Sequence, residues 1–102
     1  MPSCSLQIVV DENSSWIFPI EKQIVRIGRA ADNDLVLSDD ARHVSRWHAT
    51  IRHDGRGPAV LSDLESVNGT FLNGRPIALP VPIFPDDTIK IGKFRLVLRE
   101  RL

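Results

Sequence analysis

The sequence predicts an all-β domain, and three observations support this fold class. Apolar side chains recur at every second residue, most clearly in Thr88–Ile91 and Phe94–Leu98. No stretch of ten or more residues carries the apolar stripe of an amphipathic helix. Turn-forming residues separate the short apolar runs along the whole chain. Many short strands at close spacing are typical of a β-sandwich or a β-barrel.

Length and composition narrow the class of protein. We expect a single domain over residues 1–102, with a core from about residue 6 to residue 99. The apolar fraction of 42% and the charged fraction of 25% are ordinary for a globular chain and argue against disorder. No apolar run approaches the ~20 residues of a membrane-spanning helix, and the N-terminus lacks a secretory signal pattern. We therefore expect a cytoplasmic domain, on its own or within a larger protein.

The charge balance limits the partners of the domain. Thirteen basic residues match thirteen acidic ones, whereas a nucleic-acid-binding protein usually has a basic excess. We therefore expect this domain to bind neither nucleic acid nor a membrane surface, and any anion that it binds must be held locally. The single cysteine, Cys4, cannot form an internal disulfide or by itself a metal site.

The strands are predicted from the alternating runs between turn signals. The candidates outside the two hairpins are Leu6–Val10, Trp16–Ile20, Gln23–Ile27, Leu35–Leu37, Ala49–His53 and Ala59–Leu64. Asn73-Gly74 lies between Phe71-Leu72 and Arg75–Ile77, which predicts a tight hairpin, and Gly92-Lys93 predicts another.

Proline and aromatic residues add two further expectations. The segment of residues 80–85 contains three prolines, which cannot donate to a strand ladder, so it should lie at a sheet edge or in a loop. Trp16, Phe18 and Phe94 are expected in the core rather than on a stacking surface for nucleic acid, whereas Trp47 is expected to be partly exposed.

Two of the predicted loops contain residues that suit anion binding. The first contains Gly28-Arg29, where the glycine permits close backbone approach and the arginine presents a planar fork of donors for phosphate or carboxylate. The second contains Ser45, Arg46 and His48, with a hydroxyl and consecutive backbone donors. We expect the His48 ring to be hydrogen-bonded to the backbone and to fix the loop that carries Ser45.

A third loop suits peptide binding. It contains two Asn-Gly pairs, Asn68-Gly69 and Asn73-Gly74, although a hairpin needs only one. The amide of Asn68 has both a donor and an acceptor, so it can bind the main chain of a peptide.

Together these three segments resemble the forkhead-associated (FHA) domain family. The matching residues are Gly28-Arg29, Ser45-x-x-His48 and Asn68-Gly69-Thr70, the last continuing through Phe71-Leu72-Asn73-Gly74. Their order and spacing agree with the family, and the resemblance extends from about Leu6 to Arg99. It implies an eleven-stranded β-sandwich that binds phosphothreonine peptides, here from a partner protein phosphorylated by a Ser/Thr kinase.

The resemblance also implies roles for individual residues. Arg29 would pair with the phosphate, Ser45 would donate its hydroxyl to it, and Arg46 would donate from its backbone or side chain. Asn68 would hold the peptide main chain that follows the phosphothreonine. The residues implied to hold the loops in place are Gly28, His48 and Gly69.

The β-sandwich loops also depart from the family pattern. Val67 stands where the family often has a Thr or Ser whose hydroxyl contacts the phosphopeptide, and Glu65 replaces a frequent glycine, which should stiffen the loop. Further candidate peptide contacts are Ser66, Val67, Arg42 and His43.

Other functions compete with phosphopeptide binding. The main alternative is a protein-interaction domain of the same fold that does not need phosphate, which Val67 favours. A hydrolase with Ser45 and His48 would lack an orienting acid and a nucleophile elbow. The spacing of the three histidines does not favour a metal, and Asp32–Asp34 lacks the later Gly and Glu of a calcium loop. We therefore expect neither an enzyme nor a bound cofactor or metal.

Overall fold

The computed structural model describes residues 3–38 and 42–101, and these form eleven strands in two packed sheets. The strands are β1 (Ser3–Asp11), β2 (Ser14–Ile20), β3 (Ile24–Gly28), β4 (Leu35–Val36), β5 (Ala49–Arg52), β6 (Ala59–Asp63), β7 (Thr70–Leu72), β8 (Arg75–Pro76), β9 (Val81–Ile83), β10 (Thr88–Ile91) and β11 (Phe94–Arg101). The predicted all-β class and the implied number of eleven strands are confirmed. Within the described residues, no helix has the length and apolar character needed to cross a membrane.

The two sheets differ in size. The first has six strands in the order β2-β1-β11-β10-β7-β8, and the second has five in the order β4-β3-β5-β6-β9. The described pairs are antiparallel except for β3 and β4, which run parallel. The β9 strand contains Pro82 and lies at the edge of the second sheet, which confirms the placement predicted from the prolines.

The core lies between the sheets and follows the predicted period of two. In β10, Ile89 and Ile91 are buried and Lys90 is exposed, because successive side chains in a strand point to opposite faces. The fully buried apolar side chains include Leu6, Ile8, Ile27, Leu37, Ile51, Leu61, Ile89, Ile91 and Leu96.

The hairpin at Asn73-Gly74 has the predicted tight turn. Asn73 has a φ of 50° and Gly74 a φ of 86°, so both adopt the left-handed conformation of a type I′ turn. The Asn73 side chain also donates to Asp87 Oδ1 at 3.0 Å and accepts the Thr88 N–H at 2.9 Å. The β7–β8 hairpin is thereby joined to the strand beside it.

The prediction that Trp16 lies in the core is wrong. Trp16 is 42% exposed because β2 is an edge strand with a neighbour on one side only. Its ring meets Phe94 edge-on, with 6.5 Å between ring centroids. Phe94 itself is buried and Phe18 is partly buried against the core, as expected.

Strand register brings the loops of interest to one end of the sandwich. Ile27 near the end of β3, Ala49 at the start of β5 and Asp63 at the end of β6 are successive cross-strand partners. The chain therefore leaves β3, enters β5 and leaves β6 at the same edge. In the other sheet, Thr70 at the start of β7 pairs with Ile91 at the end of β10.

The contrast between a core side chain and an edge side chain can be tested by truncation. Leu61→Ala should lower the free energy of unfolding by about 2–5 kcal/mol, because it leaves a cavity between the sheets. Trp16→Ala should cost no more than about 2 kcal/mol, since a large part of the ring already faces water. Urea denaturation measures both values, and an equal or larger loss for Trp16→Ala would contradict the edge assignment.

Candidate functional site

Arg29 follows β3 directly and is held by both its backbone and its side chain. Its N–H donates to the Ser45 carbonyl at 3.0 Å, and its Nε donates to the Val44 carbonyl at 3.2 Å. Among the described residues, no carboxylate oxygen lies within 4.0 Å of the Arg29 guanidinium. The half-buried guanidinium therefore keeps its terminal N–H groups for an external acceptor, as an anion site requires.

Gly28 allows two loops to approach each other closely. A Cβ at this position would lie 2.3 Å from the Arg46 carbonyl oxygen and 2.8 Å from Asn33 Nδ2, so no side chain fits. Asn33 donates from Nδ2 to the carbonyls of Ala30 at 2.9 Å and Arg46 at 2.8 Å. The loop after β3 is thus tied to the loop before β5. The sequence had indicated only a turn at Asn33.

The His48 ring is hydrogen-bonded to the backbone, which is the contact expected from the sequence. It is fully buried, its Nδ1 accepts the Ser45 N–H at 3.0 Å, and its Nε2 donates to the Gly69 carbonyl at 2.9 Å. An Nδ1 that accepts a hydrogen bond leaves the ring proton on Nε2. Since both ring nitrogens are bonded to backbone, His48 has no lone pair to activate the Ser45 hydroxyl as a nucleophile.

Ser45 presents its hydroxyl between two loops. Its Oγ accepts the Val67 N–H at 3.0 Å, which leaves the hydroxyl proton for an external acceptor. Arg46 is exposed, and its guanidinium carbon lies 5.7 Å from the centroid of the Trp47 ring. Trp47 is 51% exposed, as expected, and its Nε1 donates to Asp32 Oδ1 at 3.2 Å.

Asn68 joins the same group of loops. Its Nδ2 donates to the His43 carbonyl at 3.0 Å, while its Oδ1 accepts no hydrogen bond from the described residues. One amide proton and the carbonyl oxygen therefore remain for a ligand, and these are the donor and the acceptor that a peptide main chain needs. The neighbouring Val67 side chain is 88% exposed.

Asp63 organises the loop that carries Asn68, and the sequence analysis missed this role. Its Oδ1 accepts the hydroxyls of Ser66 at 2.5 Å and Thr70 at 2.7 Å, and its Oδ2 accepts the Ser66 N–H at 3.2 Å. The Ser66 hydroxyl in turn accepts the Gly69 N–H at 3.0 Å. Ser66 thus turns inward and stabilises the loop. An Asp followed three residues later by a Ser, whose N–H and hydroxyl can both donate to the carboxylate, was the signal available in the sequence.

These hydrogen bonds also control the ionisation of Asp63. Burial raises the pKa of Asp63, but the hydroxyls of Ser66 and Thr70, the Ser66 N–H and the nearby His48 together outweigh burial. The net pKa therefore lies below its ordinary value of 3.8. The loop is consequently built around an ionised carboxylate.

The remaining predicted contacts surround this group. Arg42 and His43 are both exposed, and the preceding residues 39–41 lie outside the described part of the chain. Glu65 has a φ of 56°, a left-handed conformation that favours glycine. The loop thus keeps a backbone suited to glycine while it carries a glutamate.

Direct hydrogen bonds therefore connect the three predicted binding segments. The Arg29 segment contacts the Ser45 segment through backbone, and Ser45 contacts the loop of Asn68 through its hydroxyl. The guanidinium, the hydroxyl and the amide stand on loops of one edge, each with unused hydrogen-bonding capacity.

The role of Asp63 predicts an acid-dependent stability. Asp63→Asn should lower the free energy of unfolding at neutral pH by about 1–3 kcal/mol, because charge-assisted hydrogen bonds are weakened. The folded-state pKa is lowered, so the ionised carboxylate stabilises the fold above about pH 4, and this stabilisation is lost as the pH falls through the folded-state pKa.

Urea denaturation over a series of pH values measures this effect. The wild type should lose stability more steeply than Asp63→Asn between about pH 5 and pH 2. Glu12→Gln removes a negative charge from an exposed turn and should leave the wild-type slope unchanged. Parallel pH profiles for the wild type and Asp63→Asn would show that Asp63 has no such role.

Comparison with known proteins agrees with this arrangement. Residues 25–92 match the FHA domain family. The chain is 37% identical over 99 residues to the glycogen accumulation regulator GarA of Mycolicibacterium smegmatis, covering 95% of this chain and 60% of GarA. It is also 37% identical over 99 residues to an oxoglutarate dehydrogenase inhibitor of Corynebacterium jeikeium, covering 95% and 66% of the two chains. The chain therefore spans about three fifths to two thirds of the length of these relatives.

Solved structures show the same fold. An FHA domain studied for phosphothreonine-dependent interactions has a TM-score of 0.83 and 34% identity, with 95% of each chain covered. EmbR of Mycobacterium tuberculosis, in complex with a low-affinity phosphopeptide, has a TM-score of 0.82 and 30% identity, with 95% of this chain and 24% of EmbR covered. On its sequence match and its fold, the chain belongs to the FHA domain family.

Proposed function

We propose that this FHA domain binds phosphothreonine peptides and thereby docks a partner protein phosphorylated by a Ser/Thr kinase. One observation carries the proposal. The Arg29 guanidinium, the Ser45 hydroxyl and the Asn68 amide stand on three loops that hydrogen-bond to one another, and each has unused hydrogen-bonding capacity.

The charge and the acceptor oxygens of a phosphate suit the Arg29 guanidinium and the Ser45 hydroxyl. Phosphothreonine carries about −1.5 to −2 charges at neutral pH and three acceptor oxygens. Arg29 supplies a cation with N–H donors, Ser45 supplies an O–H donor, and Arg46 adds further donors beside them. Hydrogen bonds to a charged group contribute roughly 1.5–3 kcal/mol each. A few of these hydrogen bonds together are enough for a binding free energy of about −8 kcal/mol, which corresponds to micromolar affinity.

Asn68 supplies the contact to the rest of the peptide. Its free N–H and Oδ1 can pair with one carbonyl and one N–H of the main chain that follows the phosphothreonine. The bond from Asn68 Nδ2 to the His43 carbonyl, at 3.0 Å, holds the amide in place before the peptide arrives. This preorganisation reduces the entropy that binding costs.

The relatives support a binding role rather than an enzymatic one. They include a glycogen accumulation regulator, an inhibitor of oxoglutarate dehydrogenase and an FhaA FHA domain in complex with an intracellular domain of another protein. We propose accordingly that this chain is a non-enzymatic cytoplasmic module, one FHA domain with a core from about residue 6 to residue 99. Bound groups other than the peptide are not needed for this function.

A degenerate library of phosphothreonine peptides tests the function. The wild type should bind phosphothreonine peptides and should not bind the same peptides with unmodified threonine. Arg29→Ala should weaken binding at least about tenfold, because it removes a charge-assisted contact with the phosphate.

Arg26→Ala is the matched control for this experiment. Arg26 is an exposed arginine on β3, three residues before Arg29, and its loss should change affinity less than about twofold. Calorimetry measures each affinity. Equal binding of phosphorylated and unmodified peptides would instead support a domain that recognises its partner without phosphate.

The absence of a hydroxyl at Val67 is open to a separate test. Val67→Thr places a hydroxyl next to the Ser45 and Asn68 loops, so phosphopeptide affinity should stay the same or rise by up to about tenfold. Val67→Ala shortens the side chain without adding a hydroxyl and should leave affinity unchanged. A clear loss of affinity in both variants, measured by calorimetry, would mean that Val67 makes an apolar contact of its own.

A further inference from the structure

Asn68 and Gly69 form a chemically labile pair at the candidate binding surface. The main-chain nitrogen that follows an asparagine can attack the amide carbon of its side chain, and a following glycine favours this reaction because it has no Cβ to block the approach. Asn68 is exposed, so water reaches its amide. The loop therefore places a reactive pair at a residue that the proposed function needs.

The fold requires both members of this pair. Gly69 has a φ of 89°, a conformation that strains any other residue. The Asn68 amide supplies the donor and the acceptor that remain for a ligand. Exchange of either residue would cost the loop its conformation or the site its amide. The lability is thus a consequence of how the site is built.

Hydrogen bonds restrain both reacting groups of the pair. The attacking group is the Gly69 nitrogen, whose N–H donates to Ser66 Oγ at 3.0 Å, and the Gly69 carbonyl accepts from His48 Nε2 at 2.9 Å. The leaving group is Asn68 Nδ2, which donates to the His43 carbonyl at 3.0 Å. Ring closure turns the Gly69 nitrogen toward the side chain and removes its proton. The reaction must therefore break the hydrogen bond to Ser66.

The second Asn-Gly pair is held by different partners. Asn73 donates from Nδ2 to Asp87 Oδ1 at 3.0 Å and accepts the Thr88 N–H at 2.9 Å, so both ends of its amide are bonded. Neither partner belongs to the Asn68 loop. Asn73 is therefore an internal reference, because unfolding of the domain affects both sites, whereas a change within the Asn68 loop affects Asn68 alone.

We propose that Asn68 is a site of spontaneous deamidation, that the Ser66 hydroxyl slows the reaction, and that the products do not bind phosphopeptides. The last part rests on the proposed function. In the reaction, the Gly69 nitrogen bonds to Asn68 Cγ, the Cγ–Nδ2 bond breaks, and ammonia leaves with the Gly69 proton. Water then opens the cyclic imide. Attack of water at Cγ gives aspartate, and attack at the main-chain carbonyl gives isoaspartate.

Both products replace the Asn68 amide with a carboxylate. The N–H that bonds the His43 carbonyl is lost, and so is the donor available to a peptide. The new negative charge stands at the site of a phosphate that carries about −1.5 to −2 charges, and like charges repel. Isoaspartate also lengthens the main chain before Gly69, which shifts the Gly69 N–H relative to Ser66.

Prolonged incubation at neutral pH, below the unfolding temperature, tests the restraint. Mass spectrometry of proteolytic fragments follows the change from amide to acid at Asn68 and at Asn73 in the same molecules. Ser66→Ala removes the acceptor of the Gly69 N–H. The control Ser62→Ala removes a hydroxyl from β6 that bonds neither Asn68 nor Gly69.

Asn68 should deamidate at least about tenfold more slowly in the wild type than in a synthetic peptide of residues 64–72, because the hydrogen bonds oppose ring closure. Ser66→Ala should raise the Asn68 rate about 3- to 10-fold and the Asn73 rate less than about twofold. Ser62→Ala should change neither rate. Equal rates in wild type and peptide, an unchanged or lower Asn68 rate in Ser66→Ala, or a parallel rise at both sites would overturn the restraint.

The effect on binding is measured with the products themselves. Ion exchange separates the incubated wild type into intact and deamidated fractions, and calorimetry with phosphothreonine peptides compares them. The fraction modified at Asn68 should bind at least about tenfold more weakly, and Asn68→Asp should reproduce this loss. Asn13→Asp adds the same charge at an exposed turn and should change affinity less than about twofold. Full affinity of the modified fraction would overturn the effect on binding.

Failure of this inference and failure of the proposed function give different results. If the intact wild type binds no phosphothreonine peptide, the proposed function fails, while the deamidation rates still decide whether Ser66 restrains Asn68. If the intact wild type binds and Ser66→Ala does not accelerate the reaction at Asn68, the inference fails and the proposed function stands.

Discussion

The buried imidazole of His48 is the contact on which the candidate site depends. It accepts a hydrogen bond from the Ser45 N–H and donates one to the Gly69 carbonyl, so a single ring holds two loops at a defined distance. Because the ring is fully buried, neither bond competes with water. The position of the Ser45 hydroxyl and that of the Asn68 amide are consequently set by the same side chain.

Further side-chain hydrogen bonds hold the loops of the candidate site in place. Asp63 holds the loop of Asn68 through Ser66 and Thr70, and Asn33 holds the loop of Arg29 against the Arg46 carbonyl. These supporting side chains form their hydrogen bonds inside the domain, and only Asn33 Oδ1 is a buried side-chain atom without a partner among the described residues. The groups at the surface keep free donors and acceptors, and this division allows a rigid site to remain available to a ligand.

The distribution of charge fits a domain that recognises an anion without attracting anions in general. Equal numbers of acidic and basic residues leave the chain with no net charge, yet Arg29, Lys90 and Lys93 lack carboxylate partners among the described residues. Lys90 and Lys93 line the same groove as Asn68, and Arg29 stands on a loop that hydrogen-bonds to the Ser45 segment. A ligand must therefore match their spacing as well as their charge, and spacing is a source of specificity.

The sequence by itself determined the features that depend on neighbouring residues. Alternation of side chains predicted the strands, and Asn73-Gly74 predicted its turn, because both follow from the conformations of adjacent residues. The backbone-bonded role of His48 was also predicted. Tertiary structure alone decided the exposure of Trp16, because it depends on the position of β2 at a sheet edge. It also decided the role of Asn33, because its partner Arg46 is distant in the chain. Tertiary structure likewise placed Lys90 beside Phe71. The register between β7 and β10 pairs these residues, and the alternation of side chains within each strand does not reveal which residues pair.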